Sequence, residues 1–131
     1  MMPHTFAVWG LGFTISCGIG HFAVKIFLWW LSNLLDVRRD DDATRTPPWL
    51  TGLLERCFFT LAVAVNAAGV VPAMMTWLVL KLAANWQYRE NLKDPDKTNY
   101  KFSAIVTGLL SMLFAYIGGL VIWRWSYVST R

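Results

Sequence analysis

Apolar residues run in three long windows along this chain, with polar and charged positions gathered between them. Residues 6–31 are apolar apart from His21, Lys25 and a few small hydroxyls, and the windows 57–80 and 102–123 carry no charge. A bilayer core about 30 Å thick needs roughly 20 such residues as helix, because no water is present to satisfy an exposed backbone. The pattern predicts an all-α integral membrane protein. Residues 1–131 form a single transmembrane domain with helices over about 6–31, 57–80 and 102–123, joined by polar connections at 32–56 and 81–101. The first window has no basic segment before it and no small-residue cleavage site after it, so it reads as a retained span rather than a signal peptide. A competing reading divides the second window at Pro72 into a re-entrant pair.

Aromatic residues mark the same boundaries. Trp9, Trp29 and Trp30 bracket the first window, Trp77 and Trp86 close the second, and Tyr100, Trp123, Trp125 and Tyr127 flank the third. Trp and Tyr settle where the ring is buried and its polar atom stays wet. Thr46 before Pro47 has the character of an N-cap and first helical residue, which predicts a short interfacial helix over about 48–54. Good helix formers continue past Leu80, so the second helix is expected to project into water until about Asn91. Asp94-Pro95 then stops the chain and Asp96 or Thr98 caps the next helix. Helices two and three form an antiparallel hairpin in this reading.

Composition sharpens the class. Of the residues, 56% are hydrophobic and 15% charged, with a mean hydropathy of +0.41; a soluble domain carries about 25% charged residues. That excludes a disordered chain, a disulfide scaffold and an ordinary soluble domain. The pI of 9.3 comes from bases flanking the windows, which suit anionic lipid headgroups, and no nucleic-acid-binding pattern is present. With three spans, Lys25, Arg38, Arg39, Arg45, Arg56, Arg124 and Arg131 share one side, and Lys81, Arg89, Lys93, Lys97 and Lys101 the other. Seven bases against five is a near balance that leans to N-out, C-in and also permits insertion in both orientations; a bacterial inner membrane is the expected location.

Helices associate in lipid through small residues and paired polar groups. Gly12, Ser16 and Gly20 make such a row on the first span, Asn66 and Gly69 belong to one on the second, and Thr107, Ser111 and Gly119 to one on the third. Asn66, near mid-span, is expected to bond across a helix pair. Thr14, Cys17, His21 and Lys25 form a polar stripe, a candidate pore lining or polar contact. Cys17 and His21 stand one turn apart, as two metal ligands would. Cys57, however, is expected about 15 Å from Cys17 in depth at 1.5 Å per residue, which speaks against both a shared metal and a disulfide. No cofactor or metal is expected. Glu55 is read as a partner for Arg56 or Lys25, and Asp40–Asp42 as a solvated stretch neutralised by Arg38, Arg39 and Arg45.

No Asp or Glu lies inside a window, which argues against a proton-coupled pump, and no catalytic triad, phosphate loop or CxxC is present. The expected function is non-catalytic: a small multi-span protein acting through helix packing, as a homo-oligomer or as an accessory subunit of a larger membrane complex. The alternative is an oligomeric ion channel or holin-like lytic pore with the first span's polar face lining the path.

Overall fold

The computed structural model describes residues 3–35, 48–89 and 97–128. Helix α1 (Pro3–Phe13), a π-helical segment (Thr14–Ile19) and α2 (Gly20–Leu35) follow one another as a single rod. Helices α3 (Pro48–Ala64), α4 (Val70–Arg89) and α5 (Lys97–Val128) complete the fold, and no strand occurs among the described residues. Two stretches, Phe6–Leu34 and Phe102–Ser126, are long and apolar enough to cross a membrane.

The continuous helix expected over 57–80 is not formed. The chain leaves α3 at Ala64 and enters α4 at Val70. The Asn66 N–H donates to the Val63 carbonyl (2.9 Å) and the Ala67 N–H to the Ala62 carbonyl (3.0 Å). These are the two bonds of a Schellman cap, and its left-handed position is Asn66 itself, at φ 52°. Gly69 then takes φ 76°, and Pro72 sits in the first turn of α4, where its missing N–H costs no helical bond. The division of the second window is therefore real, but it falls at 65–69 rather than at Pro72. The short interfacial helix over 48–54 is likewise not separate: it is the first part of α3, whose 17 residues give about 26 Å. Helix α4 does continue past Leu80, to Arg89. Thr46, Pro47, Asp40–Asp42 and Asp94-Pro95 lie outside the described residues.

Side-chain neighbours give the directions. Gly12 lies against Gly118 and Ile122, and Gly20 against Phe114, so the rod and α5 are antiparallel. Gly119 lies against Val63 and the Ala115 carbonyl against Thr60, so α3 runs parallel to α5. Helix α4 returns beside them, with Leu78 over Gly108 and Lys81 paired to Glu55. Three crossings would set the outer ends of the first and last helices on opposite sides. The antiparallel pairing puts Phe6 and Ser126 at one end of the bundle.

Helix α5 touches every other helix. On one flank, Phe59 and Val63 of α3, Met74 and Leu78 of α4, and Met112 and Ala115 of α5 make an apolar core. On the other, the rod meets α3 and α5 through small residues. The exterior differs from that of a soluble bundle: Phe6, Phe22, Ile26, Trp29, Phe58 and Trp125 are exposed, while Ser16, Thr60 and Arg56 are buried in an otherwise apolar interior.

Candidate functional site

The seam between the rod, α3 and α5 holds most of the buried polar chemistry. Gly12 and Gly118 face each other closely: a Cβ on Gly118 would sit 2.6 Å from the Gly12 carbonyl oxygen, and one on Gly12 would sit 2.7 Å from the Gly118 oxygen. Such an approach is what small residues permit. One turn along, the Thr60 hydroxyl donates to Ser16 Oγ at 2.6 Å, with the Ala115 carbonyl at 3.3 Å. Thr60 and Ser16 are both fully buried. Further on, Gly20 leaves space for the Arg56 guanidinium, since a Cβ there would lie 3.2 Å from Nη1 and 2.9 Å from Phe114 Cβ.

Arg56 is 4% exposed. Its Nε donates to the Gly52 carbonyl at 3.2 Å, while its Nη1 is buried with no hydrogen-bond partner. It borders a narrow cleft formed with Glu55, Phe59, Ser111, Met112 and Ala115. Glu55 does not serve Arg56 or Lys25 as expected. Both its oxygens accept from Lys81 Nζ, at 2.6 and 2.8 Å. A second buried orphan, Thr107 Oγ1, lies one turn before Ser111 on α5.

The π-helical segment breaks up the polar stripe. Its turns are wider than α-helical ones, with the Gly20 N–H reaching back to the Ile15 carbonyl, so Gly12, Ser16 and Gly20, four apart, keep one face in the seam, while Thr14, Cys17, His21 and Lys25 do not share one. Thr14 is exposed and bonds its own helix at the Gly10 carbonyl, 2.7 Å away. His21 is half-buried, its ring edge-on to Phe22 at 5.9 Å. Lys25 is exposed. Cys17 turns toward α3 instead, and its Sγ lies 3.2 Å from that of Cys57. The separation in depth expected for these two cysteines is overturned. α3 begins at Pro48, nine residues before Cys57, so Cys57 lies well inside the bundle rather than at its edge.

The sequence-selected packing residues divide in two. Gly12, Ser16, Gly20 and Gly119 are buried between helices, and Ser111 borders the cleft. Asn66 and Gly69 are exposed in the turn, so neither packs between helices and Asn66 makes no cross-helix amide pair. Sequence reasoning missed Thr60 and Gly118, and gave Arg56 and Lys81 other roles than the buried guanidinium and the Glu55 partner that they are. Arg56, Thr60 and Val63 recur at helical spacing along α3, a signal that becomes visible once the helix is started at Pro48. No group of three or more His, Cys, Asp or Glu that could hold a metal occurs among the described residues.

Comparisons with protein-family models, with curated proteins and with solved structures give no match. The functional reading therefore rests on the geometry alone.

Proposed function

We propose that this chain is a non-catalytic membrane protein that acts through helix packing, as a subunit of a larger assembly or as a homo-oligomer. The observation that carries this reading is the exterior of large apolar side chains around a core that also encloses two hydroxyls and a guanidinium. Lipid can cover such an exterior; water would penalise it. The rod and α5 each cross the bilayer, and α3 and α4 form a hairpin that returns to the side from which it starts.

Charge placement supports that topology. Among the described residues, Lys25, Lys81, Arg89, Lys97 and Lys101 lie toward the end holding Leu35, Pro48, Arg89 and Lys97, and Arg124 toward the opposite end; in sequence, the connections that join the first end add Arg38, Arg39, Arg45 and Lys93. The near balance of a three-span layout becomes a strong bias. By the positive-inside rule the connections then face the cytoplasm and the outer ends of α1 and α5 face out. The juxtamembrane bases suit anionic headgroups.

Arg56 supports a partner. A buried guanidinium costs about several kcal/mol unless an anion compensates it, and Glu55 is engaged by Lys81. The cleft beside Ser111 has no room for a water as it stands, so a carboxylate from a neighbouring chain would supply the missing acceptor by parting the side chains that close it. The pore alternative draws on Thr14 and Lys25, which stand exposed on the rod, so only several copies could bring them round one path.

The test is the protein content of nanodiscs loaded with the purified chain. Association with a second chain, lost in Arg56→Met while the isolated chain keeps or gains thermal stability, is the expected outcome. A wild-type chain that stays a lone monomer at every concentration, with nothing co-purifying from the membrane, would refute it.

A further inference from the structure

Cys17 and Cys57 are the two cysteines of the chain. They come from different elements, the π-helical segment of the rod and the middle of α3, and their sulfurs are in contact at 3.2 Å. Their register is held by the buried Thr60–Ser16 hydrogen bond, since Ser16 is the immediate neighbour of Cys17 and Thr60 lies one turn beyond Cys57. A disulfide has its sulfurs about 2.05 Å apart, so closure needs a movement of about 1 Å, and no helix has to change neighbours. The widened turn at Thr14–Ile19 is the part of the rod best able to make that adjustment, because a π-helical turn is a local and loosely wound feature.

We propose that Cys17 and Cys57 form a redox-active dithiol that closes to an interhelical disulfide, tying the rod to α3. Its co-substrate is an apolar disulfide able to enter the bilayer. One cysteine, as thiolate, attacks a sulfur of the reagent and expels one thiolate from it, leaving a mixed disulfide on the chain. The second cysteine, as thiolate, attacks the chain-borne sulfur of that mixed disulfide and expels the remaining half of the reagent. The two protein thiols lose two electrons and two protons in total, and the reagent is recovered as two thiols. In the reduced form the rod is held by packing and hydrogen bonds only; in the oxidised form it cannot leave α3.

The experiment uses the full chain, reduced and freed of reductant, in nanodiscs of neutral lipid, with one equivalent of dipyridyl disulfide per chain. This reagent is uncharged and its leaving group, pyridinethione, absorbs light. Closure releases two pyridinethiones per equivalent, leaves no pyridyl group on the protein and blocks both cysteines to alkylation after denaturation. Cys17→Ser and Cys57→Ser, run as controls, should each release one pyridinethione and retain one pyridyl group. A wild-type chain that retains pyridyl groups, forms only chain-to-chain dimers, or keeps both thiols free to alkylate would overturn the proposal.

Discussion

Two glycines on the same helix, Gly10 and Gly12, isolate the steric term of the rod–α5 contact. A methyl group on Gly12 meets the Ile122 side chain and lies 2.7 Å from the Gly118 carbonyl oxygen, whereas one on Gly10 meets nothing within 4 Å. Ile122 can rotate away, but a backbone carbonyl cannot, so the helices must part. Restoring an ordinary contact of 3.4 Å requires about 0.7 Å of separation. A gap of about 0.5–1 Å forfeits a quarter to a half of the dispersion well for each atom pair across it, and overpacking of this kind costs about 1–3 kcal/mol. Gly→Ala also favours the helix by about 1 kcal/mol, but that gain is common to both sites. Gly10→Ala should therefore be neutral or stabilising. Gly12→Ala should fall below it by about 1–3 kcal/mol, roughly a 5- to 150-fold difference in the unfolding constant. Reversible unfolding in mixed micelles, followed by tryptophan fluorescence, measures this difference directly. The rate of Cys17–Cys57 closure is an independent readout of the rod's position and should slow in Gly12→Ala only. Equal stability of the two alanine variants, within error, would refute the close approach of the rod to α5.

Thr60→Val keeps the shape of the side chain but removes its bonds to Ser16 and Ala115, and should cost about 1 kcal/mol in the same unfolding assay, since interhelical hydrogen bonds in membranes are individually modest. Gly69→Ala places a side chain at φ 76° and should cost about 1–2 kcal/mol, while Asn66→Gly, which keeps the left-handed cap, should be tolerated; thermal denaturation separates the two. Cysteines introduced at Phe6 and Trp125 should be labelled from the same face of sealed vesicles and one at Gln87 from the other, whereas a three-span layout pairs Phe6 with Gln87.

The helical rows were readable because their period is local. Gly12, Ser16 and Gly20 recur every four residues, and the structure sets all three between helices, since a step of four suits the wider π-helical turn as well as it suits an α-helical one. The turn at 65–69 was also written in the chain, as Asn66, Gly69 and Pro72, yet a hydropathy window is insensitive to it. Ala, Val and Gly are as apolar in a left-handed turn as in a helix, so an uncharged run looks the same whether it crosses once or folds back. Reading Asn66 as a cross-helix amide followed from that one error, and so did the depth assigned to Cys57.

By itself the sequence determined that the chain is helical, that its first and last apolar segments are long enough for a bilayer, and where the small residues of those two segments lie. These are properties of single segments: backbone satisfaction, transfer free energy and periodicity act within one helix. The tertiary structure alone decided which segments meet and in which direction. Once the Schellman cap reverses α3 into α4, the rod docks antiparallel to α5, while α5 runs parallel to α3. Lys81 then reaches Glu55, Arg56 is enclosed beside Gly20, and Cys17 comes against Cys57 across forty residues of chain. None of these contacts leaves a signal in composition or spacing, because each depends on the relative rotation and depth of two helices, which are set by how their surfaces interlock.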